Sequence, residues 1–233
     1  MRRSLIAILI SIPTLTNAQV IAFEEIDESD IINRSSDVIE DYEGVYQFGN
    51  SETASEIVLL FNGHSIIAQI KSGSWNTEKN QWVDTFENLT NTSIKNGVFS
   101  SDQYQGRFIT YIKEGKYHYG LKIKNPWTQG ISEGQYEIGL KETDVFYFNG
   151  EYTEASIKDL SEDHLKNLSN KELQLMRNEI FARYGYIFNS EGEMDIYFKS
   201  KSWYRPQHED VTNFLTSIER RNIQRIRNLE QEE

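Results

Sequence analysis

The chain has 233 residues, with 36 acidic against 24 basic side chains and a formal charge of −12 at pH 7. That acidity argues against a nucleic-acid partner, which demands a basic footprint. The absence of cysteine excludes a disulfide framework, cysteine-ligated zinc and a lipid-modified cysteine anchor.

The first eighteen residues follow the plan of a cleaved secretory signal. Arg2 and Arg3 precede a run from Leu5 to Ile12 that is apolar apart from Ser11, Pro13 breaks it, and Thr16-Asn17-Ala18 offers small residues to a peptidase. A run this short falls below the about 20 residues that cross a bilayer, and no other run approaches that length. The expected product is exported, periplasmic or secreted, with no stable membrane insertion once the signal is removed. Residues 19–41 hold eight acids against Arg34 alone and read as an acidic, poorly ordered lead-in.

From Tyr42 to Gly150 the period is two. Lys116 to Lys124 alternates strictly, with Tyr117, Tyr119, Leu121 and Ile123 on one face, as a half-buried strand requires. Eight strands are expected, near 43–49, 55–61, 64–71, 80–87, 92–100, 106–113, 116–124 and 143–149. Asn62-Gly63, Asn96-Gly97, Glu114-Gly115 and Asn149-Gly150 supply turn chemistry between them. Eight short strands predict an antiparallel β-barrel or sandwich over residues 42–150, similar in outline to a lipocalin. Gly44–Gly49 and Gly134–Gly139 echo one another and suggest first and closing strands. Trp75, Trp82 and Trp127 sit in or beside loops; they either plug the ends of the barrel or face a ligand. His64 and His118 share no metal-ligand spacing and read as ordinary strand residues.

After Gly150 the period becomes helical, so the overall class is α+β, with a small all-helical module over 151–233. Ser169 with Glu172, Ser190 with Glu193 and Thr216 with Glu219 have the spacing of capping boxes. The first opens a helix with Leu173, Met176, Ile180 and Tyr184 on one face, and Gly185 stops it.

The run Leu175–Phe188, followed by Tyr197-Phe198 and Trp203-Tyr204-Arg205-Pro206, resembles the YARHG domain, a module of presumed extracellular bacterial proteins. The resemblance covers about residues 160–229. Phe181 and Tyr184 stand where the family's name has tyrosine and histidine. It implies an exported, appended domain with no established activity, suggested to assist binding at the cell envelope.

For the motif two roles are open. Arg177, Asn178, Glu179, Gly185 and Pro206 read as structural, knitting short helices around a small core. Arg183, Tyr184, Trp203 and Tyr204, with Trp75 and Trp127 from the strand-rich part, are the candidate ligand-facing residues. No serine elbow, phosphate loop or metal-binding helix is found, so no catalytic residue, metal ligand or cofactor is expected. The leading expectation is a non-catalytic envelope protein that binds a glycan, peptide or protein. The alternatives are a carrier of a small apolar ligand inside a barrel and an envelope hydrolase. The oligomeric state is left open.

Overall fold

The structure is a computed structural model that describes residues 26, 28–49, 54–63, 65–113, 115–128, 134–142 and 148–231. The expected signal segment, His64 and residues 143–147 of the expected last strand lie outside them.

Ten strands form one antiparallel sheet: β1 (Ile31–Asn33), β2 (Gly44–Phe48), β3 (Ser55–Asn62), β4 (Ser65–Asn76), β5 (Gln81–Asn88), β6 (Ser93–Lys95), β7 (Val98–Ser100), β8 (Gln105–Lys113), β9 (Lys116–Lys124) and β10 (Tyr136–Lys141). Their order is β5-β4-β3-β2-β10-β9-β8-β7-β6, with β1 beside β8. Five helices follow: α1 (Glu154–Ile157), α2 (Glu162–Leu165), α3 (Asn170–Arg183), α4 (Glu193–Lys199) and α5 (Ser217–Gln231).

Of the two expected forms, barrel or sandwich, the closed barrel is corrected. Among the described residues β5 and β6 end the order and do not pair with each other. The sheet curls nonetheless. β2 and β8 stand three intervals apart, roughly 14 Å along a flat sheet, yet the Tyr46 and Phe108 rings meet at 5.7 Å. The inner face is filled by Tyr42, Tyr46, Phe48, Ile57, Leu59, Phe99, Phe108, Leu121 and Ile123. The run expected as one strand at 92–100 divides at Asn96-Gly97, where both residues have positive φ and Lys95 pairs with Val98, a two-residue turn matched to strand twist. The echo of Gly44–Gly49 and Gly134–Gly139 becomes a neighbourhood, since β10 pairs β2 with Leu140 opposite Gln47. Order also begins before Tyr42. Ile31 to Asn33 pair with Tyr111 to Ile109, and the Arg34 guanidinium stacks 4.3 Å from the Tyr119 ring, so part of the acidic lead-in is sheet.

Because strand residues alternate, β2 to β4 have a second apolar set on the outer face. Val45, Val58, Leu60 and Ile67 pack there against Ile218 of α5 and Phe148. On β5, Phe86 meets the Tyr184 ring edge-on at 4.7 Å and Phe214 at 5.3 Å. The helices thus sit on the outer face of β2 to β5, with their own core of Leu160, Leu165, Leu173, Met176, Ile180, Ile223 and Ile226.

Candidate functional site: a cleft between sheet and helices

Local rules build the helical wall of the site. Ser169 and Glu172 form the expected capping box, Glu172 Oε2 accepting from Ser169 N at 2.8 Å. α3 ends at Arg183, and Gly185 turns the chain with φ +71; a Cβ there would stand 2.6 Å from the Arg205 carbonyl oxygen. That carbonyl belongs to the return segment, which docks through Gln207 N and His208 N on the Gly185 carbonyl at 2.7 and 2.9 Å.

A buried polar network holds this turn. The Arg183 side chain, 4% exposed, pairs with Glu179, 1% exposed. Its Nε donates to the Asn149 carbonyl at 2.7 Å and its Nη1 to Ser156 Oγ at 2.6 Å. Glu179 also accepts from the backbone of Glu151 and Tyr152 at 2.8 and 2.7 Å. Ser156 in turn donates to Glu219 at 2.6 Å. The second oxygen of Glu219 accepts from Thr216 N and from the Tyr184 hydroxyl, both at 2.8 Å. Tyr184 Oη also lies 3.2 Å from Gln69 Oε1 of β4, so the network reaches the sheet. Burial pushes the Glu219 carboxyl above its ordinary range, against the pull of Ser156, Thr216, Tyr184 and Arg183. Burial and then Glu219 push the Tyr184 phenol well above its own.

Beside the network a cleft of about 140 Å³ opens between the two layers. Glu56, Lys71 and Asp84 line it from the sheet; Arg183, Tyr184, Gly185, Trp203, Arg205 and Gln207 line it from the helices. A second hollow of about 220 Å³ shares Glu56, Lys71 and Asp84 and continues along the sheet to Gln47, Ser55 and Trp82. The helical wall thus comes mainly from the motif around Arg183 and its Trp-Tyr-Arg-Pro sequel, with Phe148 and Asn149 beside them.

Residues 150–231 match the YARHG domain. No curated protein and no solved structure matches the chain.

The YARHG match places the motif, and the geometry sorts its residues. Trp203 and Arg205 border the cleft, and Arg205 is exposed. Arg183 and Tyr184 also border it, but each side-chain nitrogen of Arg183 and the Tyr184 hydroxyl already has a partner within the protein. Tyr204, expected to face a ligand, is buried, and its hydroxyl donates to the Tyr186 carbonyl at 2.6 Å. Trp127 is likewise turned inward. It packs on Phe48 and Tyr104 at 4.7 and 5.2 Å and donates to Ser55 Oγ at 2.8 Å, closing one end of the inner face. Trp75 is 56% exposed on β4.

Among the residues read as structural, Arg177 reaches across to α5 and binds Glu230 with Nε at 2.9 Å and Nη2 at 3.1 Å. Asn178 bonds back along its own helix, its Nδ2 donating to the Gln174 carbonyl at 2.8 Å. Pro206 precedes the two residues that dock on Gly185. The Ser190–Glu193 box does not form. Gly192 is the N-cap of α4, Asp195 accepts from Glu191 N at 3.0 Å, and Glu193 pairs with Lys171. The Thr216–Glu219 box does form, but periodicity gave no sign that Glu219 would be buried among Ser156, Tyr184 and Thr216. Nor did it mark Gln69 or Gln207, whose roles depend on which strand lies under which loop.

Among the described residues no group of three or more His, Asp or Glu side chains is placed to hold a metal ion, and no helix is long and apolar enough to cross a membrane.

Proposed function

We propose that this is an exported, non-catalytic binding protein of the bacterial envelope or its surroundings, which holds an envelope component in the cleft between the sheet and the YARHG module. The observation that carries this reading is the cleft's construction. One wall is the YARHG motif and its sequel, the other is the outer face of β3 to β5, and neither layer encloses the space alone. Binding rather than catalysis fits the chemistry, because Arg183, Tyr184 and Gln207 are committed to internal partners. Trp203, the exposed Arg205 guanidinium, whose Nη1 donates to the Ser202 and Tyr204 carbonyls at 2.7 and 3.0 Å, and the loosely paired Glu56 and Lys71, 3.7 Å apart, are the groups offered to a ligand. Export rests on the signal-like first eighteen residues and on the extracellular setting that the YARHG match implies. The carrier reading has no comparable support, since Tyr42, Tyr46, Phe48 and Phe108 fill the inner face.

Co-sedimentation of the purified chain with insoluble bacterial envelope tests the proposal. Retention is expected, and a Trp203→Ala, Arg205→Ala double variant that keeps the wild-type melting temperature should lose most of it. Absence of wild-type retention, or equal retention of the double variant, contradicts it.

A further inference from the structure

The hairpin of β4 and β5 carries two of the chain's four tryptophans on the part of the outer face that the helices leave uncovered. Trp75 and Trp82 are register partners, so their side chains leave the sheet side by side. Gly73 faces the same way two residues before Trp75, and a Cβ on it would stand 2.3 Å from Trp82 Nε1. Glycine there lets the indole lie across the strand, where Nε1 donates to the Asp84 carboxylate at 3.0 Å. Trp203 borders the adjoining cleft.

The charges along this strip cancel. Glu56 and Asp84 face Lys71 and Arg205, and Arg183 is neutralised by Glu179. A ligand with a strong charge of either sign meets no net attraction, whereas one with apolar C–H faces and hydroxyl edges finds ring surface, donors and acceptors together. One way an extended peptide gains affinity is by adding a strand to a free sheet edge, and beside this strip the edge of β5 is occupied at Trp82 and Asp84. Gln207 Oε1 accepts from Asp84 N at 3.0 Å, Gln207 Nε2 donates to the Trp82 carbonyl at 3.2 Å, and His208 Nε2 lies 2.8 Å from the Asp84 carbonyl.

We propose that this strip, with Trp75 and Trp82 as its stacking platform, binds a neutral saccharide chain running into the cleft; the proposal rests on the cleft reading above. Titration of the full chain with chitohexaose, cellohexaose and maltohexaose, followed by tryptophan emission and calorimetry, tests it, with a neutral unstructured decapeptide in parallel. At least one hexasaccharide should bind, and Trp75→Ala, a change at an exposed side chain that folding tolerates, should weaken it about tenfold. Gly73→Ala should weaken it similarly by evicting the Trp82 indole without deleting it. Binding of no hexasaccharide, binding unchanged in both variants, or binding of the decapeptide alone overturns the proposal. If envelope retention survives in Trp75→Ala and no hexasaccharide competes with it, the saccharide strip fails while the cleft stands. Loss of wild-type retention removes both.

Discussion

Tyr184 stands where the YARHG name has histidine, and its hydroxyl joins Glu219 of α5 to the neighbourhood of Gln69 on β4. Removing it leaves a buried carboxylate one donor short, which costs about 1–3 kcal/mol. Tyr184→Phe should therefore lower the unfolding free energy read from urea titration by that amount, and an unchanged value would show the hydroxyl to be dispensable. Glu219 gives a pH signature. Burial raises its carboxyl, so the folded chain keeps a proton at pH values where the unfolded chain has released it. Its contribution to stability is complete below the ordinary carboxylate range and is lost as pH rises through the raised value. Glu219→Gln does not ionise, so its melting temperature should gain on that of the wild type as pH climbs through that window. A constant difference between the two melting curves contradicts this sign. Glu219 was legible as half of a capping box because that depends on a three-residue spacing. Its burial was not, because it depends on Ser156 and Tyr184 arriving from elsewhere in the chain.

At the scale of elements, the edge of β5 is covered by side chains rather than by a strand. Gln207 makes an amide-to-backbone pair with Trp82 and Asp84, which hides donors and acceptors that would otherwise invite pairing with another chain. Gln207→Ala should speed hydrogen exchange at the Asp84 amide, which donates to Gln207 Oε1, and increase aggregation on storage; protection equal to the wild type would contradict this role of Gln207. The elements themselves were largely readable. Period-two runs became β3, β4, β5, β8 and β9, and Asn96-Gly97 and Gly115 sit between paired strands, since these signals are local. Asn149-Gly150 looked the same and makes no such turn among the described residues. There Gly150 has φ +125, and a Cβ on it would meet the Glu179 carboxylate at 2.3 Å, so its reason is tertiary. The expected box at Ser190 fails because Asp195 supplies the carboxylate that bonds the preceding turn.

At the scale of the whole molecule, sheet and helices share one apolar interface and a set of bonds across it. Asn88 Nδ2 donates to the Phe214 and Leu215 carbonyls at 3.0 and 3.1 Å, and Gln69 Nε2 to the Phe214 carbonyl at 2.7 Å. Heating should therefore melt strand and helix signals in circular dichroism together, and two separated transitions would show that the layers are independent. The α+β class was legible from the change of period at Gly150. The open sheet, the seat of the helices on its outer face and the cleft between them were not, because strand order and layer contact leave no periodic trace. The most direct test of the cleft as the binding site is hydrogen–deuterium exchange of the full chain with and without solubilised bacterial envelope. Protection is predicted in β3 to β5 around Glu56, Lys71 and Asp84 and in the segment Trp203–Gln207. No protection, or protection confined to β8 and β9 on the far part of the sheet, would contradict it.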